Sequence, residues 1–281
     1  MNKPSRREMM KLLASGVMPL LAFVLSGIGV ASAQSAQLAT QPADTGGYLF
    51  TTFKGESTPT GEQIYFGLSR DGLRWDALNN GNPILISDVG EKGVRDSYLL
   101  RAHDGKRFFI IATDLSINLN KDWKRATHGG SKSIVVWESD DLVKWSPPWL
   151  LKVAADDAGC TWAPEAIYDE ETKDYMVYWA STTQRDNYAR QRIWSTHTAD
   201  FKQASPAEIF IDKAATVYDT DIVRAGSRYY RFSKEPTRKV ITMEAAEKLS
   251  GPWTEISTPS LAGTQRYEGP AAFQLKPQAG G

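Results

Sequence analysis

The sequence feature that most constrains the fold is a hairpin pattern that recurs along the chain. In each copy an apolar strand, a short polar turn and a second apolar strand follow one another, as in residues 98–113, 166–179 and 222–232. The first copy turns through His103-Asp104-Gly105-Lys106, and an Asp-Gly pair between two such runs is typical of a tight hairpin. The apolar residues occupy consecutive positions, which indicates strands that are covered on both faces.

A third strand that ends near an aromatic residue follows the hairpins, and the spacing of these strands indicates the length of the repeat. A further strand leads each time into an aromatic residue, and these residues are Trp75, Trp145, Phe201 and Trp253. The strand ends at Ser69, Ser139 and Thr198 are separated by 70 and then 59 residues. A repeat of this length with about four strands is typical of a β-propeller, whose blades must stack because one sheet cannot cover its own faces.

The repeat count predicts an all-β, five-bladed β-propeller. We count four repeats and the first strand of a fifth, residues 271–275. The chain continues for only 13 residues after Glu268, so we expect the last blade to be incomplete in this chain. A two-sheet sandwich is the alternative fold, but sandwiches seldom restart the same module at this spacing.

Residues 1–33 are predicted to be a signal peptide rather than part of the fold. A basic start is followed by an apolar run and by Ala31-Ser32-Ala33, a small-residue peptidase site. The pair Arg6-Arg7 is similar to the twin-arginine export signal, and an ordinary secretory signal with a chance arginine pair is the alternative. We therefore expect an exported protein, periplasmic or secreted. Residues 34–46 are predicted to be a flexible tether and residues 47–281 the propeller domain.

The composition limits the classes of partner. The chain has 33 basic and 33 acidic residues, and so lacks the basic excess that nucleic acid binding requires. Apolar stretches after the signal peptide are too short for a membrane-spanning bundle, so no membrane contact is expected after cleavage. The single cysteine, Cys160, excludes an internal disulfide, and the three histidines lack zinc-ligand spacing.

Acidic residues stand at the start of three predicted inner strands. Asp96, Asp219 and Glu268 each precede an apolar run, and each belongs to a different repeat. The inner strands of a propeller line its axial pocket, so these side chains are expected to converge there. A single acid in such a place is usually a solvated turn residue. Three of them favour acid–base catalysis, in which carboxyl groups about 6.5–9.5 Å apart suit attack of water on a sugar with inversion.

These acids lie in motifs that resemble glycoside hydrolase family 43, the five-bladed propeller hydrolases. The motifs are Gly93-Val94-Arg95-Asp96, Thr161-Trp162-Ala163-Pro164-Glu165, Val217-Tyr218-Asp219-Thr220 and Tyr267-Glu268-Gly269-Pro270. The resemblance implies that Asp96 is the general base, Asp219 the residue that tunes and orients the acid, and Glu268 the general acid. Asp221 is the other candidate for the role given to Asp219. Ser97 departs from the family pattern, which commonly has Pro after the base.

The resemblance also guides the expected ligands. Trp162 is a candidate for substrate binding, because its indole could stack on a sugar ring, and a core tryptophan wedged between blades is the equal alternative. We expect no catalytic metal and no cofactor. A structural calcium ion on the propeller axis is left as an alternative, although the sequence lacks calcium-loop spacing.

The resemblance implies inverting hydrolysis of pentose glycosidic bonds in plant polysaccharide. The leading prediction is an α-L-arabinofuranosidase acting on arabinan, arabinoxylan or oligosaccharides derived from them. A β-xylosidase is one alternative, because the same carboxylates serve either sugar. A catalytically silent carbohydrate-binding propeller is another, since the final blade is expected to be incomplete. A purely structural propeller would leave the repeated inner acids unexplained.

Overall fold

The computed structural model describes residues 46–275, which form four antiparallel sheets. The predicted signal peptide and all but the last residue of the predicted tether lie outside the described residues. The first sheet has three strands: β1 (Tyr48–Thr52), β2 (Tyr65–Ser69) and β3 (Asp76–Ala77). The second has four strands: β4 (Val94–Arg101), β5 (Phe108–Asp114), β6 (Ser133–Ser139) and β7 (Trp149–Lys152).

The other two sheets repeat the four-stranded meander. The third contains β8 (Trp162–Asp169), β9 (Asp174–Ser181), β10 (Arg192–Thr198) and β11 (Glu208–Ile211). The fourth contains β12 (Tyr218–Ala225), β13 (Arg228–Glu235), β14 (Val240–Ala246) and β15 (Thr254–Glu255). Two short helices, α1 (Ile117–Asn120) and α2 (Trp123–His128), lie between β5 and β6. Single 3₁₀ turns span Asn79–Gly81, Gln184–Asp186 and Pro259–Leu261.

The sheets pack face to face through alternating side chains of their middle strands. On β5, Phe109 and Ile111 join the core shared with the third sheet, whereas Ile110 joins the core shared with the first. On β9, Val177 likewise packs toward the second sheet and Tyr178 toward the fourth. Successive side chains of a strand point to opposite faces, so both faces of these sheets are covered. This explains the consecutive apolar residues and confirms the predicted β-propeller, of which four blades are described.

The first strands of the sheets form the inner wall of the ring. Strand β8 lies between β4 and β12, and β4 also contacts β1. The outer aromatic residues pack blades together as expected: Trp145 contacts Phe66 at 6.0 Å between ring centroids, and Trp253 contacts Phe210 at 6.4 Å. No helix within residues 46–275 has the length and apolar character needed to cross a membrane.

The predicted first strand of a fifth blade is not formed, since residues 271–275 take part in no β-ladder. A strand is defined by its pairing, and these residues have no neighbouring strand within the described part of the chain. The segment nevertheless lies between the fourth and first sheets. The backbone N–H of Ala272 donates to the Asp221 carboxylate on β12, and the Phe273 ring lies 5.6 Å from Tyr48 on β1. It therefore links the last blade to the first.

Candidate active site

A backbone bulge occupies the same place in three inner strands. Asp96 on β4, Ala163 on β8 and Asp219 on β12 have left-handed backbones with φ of 46°, 46° and 48°. At each of them the ladder with the next strand shifts register. Such a conformation costs a non-glycine residue about 1–2 kcal/mol, and bulges that re-aim a side chain are frequent beside active sites. The bulges bring Asp96 and Asp219 to equivalent positions at the start of their strands.

Glu268 is not at the position of the other two acids, although the sequence pattern treats the three as equivalent. Gly269, with φ of 64°, has the left-handed backbone that Asp96 and Asp219 have. Glu268 therefore corresponds to the residue before the bulge, as do Arg95, Trp162 and Tyr218. The one-residue difference was not visible in the sequence, because the bulge depends on pairing with the neighbouring strand.

Asp219 and Glu268 both lie near Tyr218. The Tyr218 hydroxyl donates a hydrogen bond to Oε2 of Glu268 over 3.2 Å. Burial raises the pKa of Tyr218, and the negative charges of Glu268 and Asp219 raise it further. Tyr218 therefore keeps its proton and remains a donor to Glu268. Both acids are half-buried.

Asp221 belongs to a deeper layer of polar side chains two residues beyond the bulge. It is 2% exposed and accepts the Ala272 N–H, whereas Glu165 accepts the Tyr178 hydroxyl at 3.2 Å. The pKa values of Tyr98 and Tyr178 lie well above the ordinary value, mainly through burial and also through the charges of Glu165 and Asp221. Asp221 thus holds the closing segment of the ring. This geometry favours Asp219 over Asp221 for a role beside Glu268.

Asp96 lies beside the guanidinium of Arg95. Arg95 Nη1 is 2.8 Å from Oε1 of Glu62 and 3.1 Å from Oε2 of Glu56. Burial alone would lower the pKa of Arg95, but the charges of Asp96 and the two glutamates outweigh burial and raise it. Arg95 is therefore positively charged. A neighbouring cation stabilises the charged form of a carboxylate, which is the form that a general base requires.

Glu62 is a site-organising residue to which the sequence reasoning assigned no role. It is 2% exposed, and besides Arg95 it accepts the Ser116 hydroxyl at 2.9 Å. It also accepts the backbone N–H groups of Ile117 at 3.0 Å and Asn118 at 2.9 Å, at the start of α1. A buried carboxylate with charged and backbone donors is well compensated. The signal in the sequence was weak: an acid two residues before the apolar run 64–66.

Two tryptophans pack against each other near Arg95, which contacts Trp123. Trp162 is half-buried and packs on Leu115, Ile117 and Ala126, so it is partly the core residue that the alternative interpretation described. Its ring meets the Trp123 ring nearly edge-on, at 6.3 Å and 83°. Trp123 begins α2 and is 47% exposed. The sequence reasoning missed Trp123, because a helical insertion between two strands gives no repeat signal.

No metal centre is apparent in the described part of the chain. Within residues 46–275, no three His, Cys, Asp or Glu side chains are grouped so that they could hold a metal ion. Cys160 is completely buried, and burial raises the pKa of its thiol. The arrangement therefore offers acid–base chemistry through carboxyl groups, with an arginine and aromatic rings beside them.

Comparison with known families identifies the class of enzyme. Residues 44–279 match a family described as "Probable glycosyl hydrolase domain", which is related to glycoside hydrolase family 43. The chain belongs to this family. The match agrees with the motifs around Asp96, Asp219 and Glu268, which resemble glycoside hydrolase family 43.

One curated relative of this chain is an α-L-arabinofuranosidase from Bifidobacterium longum subsp. longum. The two are 28% identical over 250 residues, which cover 78% of this chain and 23% of the relative. The chain thus spans about a quarter of the length of that protein.

Solved structures of other glycosidases share the propeller fold. The α-L-arabinanase of Penicillium chrysogenum, solved with arabinobiose, is 15% identical with a TM-score of 0.53, covering 77% of this chain and 65% of that one. An exo-β-1,3-galactanase from Phanerochaete chrysosporium is 14% identical with a TM-score of 0.50, covering 74% and 47%. At such identities the likeness shows the fold alone, and these proteins act on different sugars.

Proposed function

We propose that this glycosidase hydrolyses α-L-arabinofuranosyl bonds in plant polysaccharide or its oligosaccharides, with inversion at the anomeric carbon. The observation that carries the proposal is the grouping of Asp219 and Glu268 around Tyr218, with Asp96 on the matching bulge of another inner strand. The 28% identity to an arabinofuranosidase supports arabinose as the sugar released. The predicted signal peptide in residues 1–33 supports action outside the cytoplasm, in the periplasm or the medium.

In this mechanism each carboxyl group has a separate task. Asp96 accepts a proton from a water molecule, whose oxygen forms a bond to the anomeric carbon on the face opposite the leaving group. The bond to the glycosidic oxygen breaks at the same time, and Glu268 gives its proton to that oxygen. Asp219, which with Glu268 lies around Tyr218, orients the acid, and the Arg95 guanidinium lies beside the base.

The test compares the parent with Asp96→Asn and Glu268→Gln on aryl α-L-arabinofuranosides. Both variants should lose about 10²- to 10⁴-fold in kcat on a substrate with a poor leaving group. Glu268→Gln should retain much more activity when the leaving group is a dinitrophenolate, which needs no proton, whereas Asp96→Asn should not. Asp140→Asn and Glu247→Gln, at exposed positions, are matched controls that should behave as the parent.

The outcomes separate the alternatives. Full activity in both variants would show that the roles are wrongly assigned. Cleavage of aryl β-D-xyloside alone would replace the arabinofuranosidase by a β-xylosidase. Binding of arabinoxylan without hydrolysis of either glycoside would identify a catalytically silent binding propeller. Nuclear magnetic resonance of the first sugar released would show the anomer and so test inversion.

A further inference from the structure

Trp123 presents an aromatic surface that residues 46–275 cover only in part. Its side chain is 47% exposed, although an indole ring is among the largest apolar groups that a chain can bury. The Arg95 guanidinium lies over one face of the ring, with its central carbon 5.2 Å from the ring centre. Arg95 and Trp162 therefore cover part of the ring, and nearly half of the side chain remains open to solvent.

The insertion that carries Trp123 is firmly held. The two terminal nitrogens of Arg125, on the same helix α2, lie 2.8 and 2.7 Å from the carboxylate oxygens of Glu91. Glu91 also accepts the Ser116 N–H at 3.2 Å, and Asp122 caps α2 by accepting the Arg125 N–H at 2.9 Å. Because α2 is held in this way, the Trp123 ring loses little conformational freedom when a ligand binds. The entropic cost therefore takes away little of the binding free energy that the ring contributes.

Trp123 is connected to the proposed catalytic carboxyl groups through Arg95. It contacts Arg95, which neighbours Asp96 in sequence and in charge, and its ring meets the edge of Trp162. Trp162 is nearer the inner wall, since it is part of strand β8. A sugar in the pocket would therefore meet Trp162 first, and the ring of Trp123 would lie at the rim.

We infer that the exposed indole of Trp123 binds a second sugar ring of the substrate, beyond the sugar whose glycosidic bond is cleaved. The inference rests on the proposed function. A sugar offers a face of C–H groups that packs on an indole and a rim of hydroxyl groups. Glu56, 45% exposed and paired with Arg95, lies at the same rim and offers a carboxylate to those hydroxyls. The preferred substrate is therefore a saccharide of two or more sugar rings rather than an aryl glycoside of a single sugar.

The experiment compares kcat/KM for an arabinoxylan oligosaccharide with kcat/KM for an aryl α-L-arabinofuranoside. In Trp123→Ala the ratio of the two should fall about tenfold, as expected for loss of an aromatic contact. Trp123→Phe, which keeps a ring, should recover part of the ratio. Leu119→Ala is the matched control, because Leu119 lies on α1 of the same insertion and is 62% exposed. It should leave the ratio unchanged.

An unchanged ratio in Trp123→Ala would overturn the inference, whether both activities persist or both fall equally. Near-ultraviolet circular dichroism would verify that each variant is folded. Affinity electrophoresis in arabinoxylan, in an Asp96→Asn background that preserves the polysaccharide, gives a second readout. If the parent cleaves neither substrate, the proposed function fails. Weaker retardation of the Trp123→Ala protein would still support a sugar contact in that case, and equal retardation would overturn it.

Discussion

At the scale of single residues, Arg95 shows how one side chain connects the proposed base, Asp96, to its surroundings. It lies beside Asp96, pairs with Glu62 and Glu56, and packs against the rings of Phe53 and Trp123 at 4.7 and 5.2 Å. The two glutamates contact the same Nη1 atom but differ greatly in exposure, at 2% for Glu62 and 45% for Glu56. Replacing each glutamate in turn therefore compares the contribution of a buried ion pair with that of an exposed ion pair to the same arginine.

We predict that Glu62→Gln lowers the free energy of unfolding by about 2–4 kcal/mol, because it leaves Arg95 and the start of α1 without a buried anionic partner. Glu56→Gln should change the free energy by less than about 0.5 kcal/mol, since a solvated ion pair contributes little. Urea unfolding at pH 7 measures both. Equal effects of the two substitutions would show that burial of Glu62 does not matter.

At the scale of elements, the fourth sheet contains an ion pair across neighbouring strands. Arg231 on β13 faces Glu244 on β14, with 2.8 Å between Nε and Oε2, and Lys213 lies 3.3 Å from the same oxygen. Burial alone would raise the pKa of Glu244, but the two cations outweigh burial and leave its pKa below the ordinary 4.5. A carboxyl group with a lowered pKa stabilises the fold above its unfolded-state pKa, and that contribution is lost as the pH falls through the folded-state value.

We predict that Glu244→Gln destabilises the protein by about 1–2 kcal/mol at pH 7. The difference from the parent should narrow once the pH falls below about 4.5, because the parent's carboxylate is then protonated as well. Urea unfolding at a series of pH values measures this difference, with the exposed Glu247→Gln as control, which should follow the parent throughout. A difference in the free energy of unfolding that stays constant down to pH 3 would show that the destabilisation does not come from the charge of Glu244.

The strands themselves show what local patterns predict well. The β4–β5 hairpin was predicted because its signals are local. The Asp104-Gly105 pair forms the turn, and the apolar runs on either side of it form the strands. The strand predicted at 271–275 was wrong, because pairing requires a neighbouring strand that no local pattern supplies. The bulges at Asp96, Ala163 and Asp219 were missed for the same reason, and with them the one-residue offset of Glu268.

At the scale of the whole molecule, the segment 269–275 connects the fourth blade with the first. Phe273 lies 5.6 Å from Tyr48 and 6.4 Å from Trp75, measured between ring centroids, and both partners belong to the first blade. Asp221 of the fourth blade accepts the Ala272 N–H. Glu268 directly precedes this segment, so the position of the proposed acid depends on contacts between the two ends of the described chain.

We predict that Phe273→Ala lowers the free energy of unfolding by about 1 kcal/mol, because the ring is 53% exposed and only its covered part contributes. It should also lower kcat through the loosened position of Glu268. Val143→Ala, at a position that is 78% exposed, is the control and should change neither quantity measurably. Normal activity in Phe273→Ala would show that Glu268 is positioned by other contacts, such as that with Tyr218.

The sequence by itself determined the propeller class and the strand modules, and it supplied Asp96, Asp219 and Glu268 as candidates, because these depend on short patterns and on motifs of a few residues. Only the tertiary structure revealed the matching bulges, the contact of Tyr218 with Glu268, the burial of Glu62 against Arg95 and the exposed ring of Trp123. The reason is physical. Those features are contacts and backbone registers between residues far apart in the chain, and they exist only after the blades have packed.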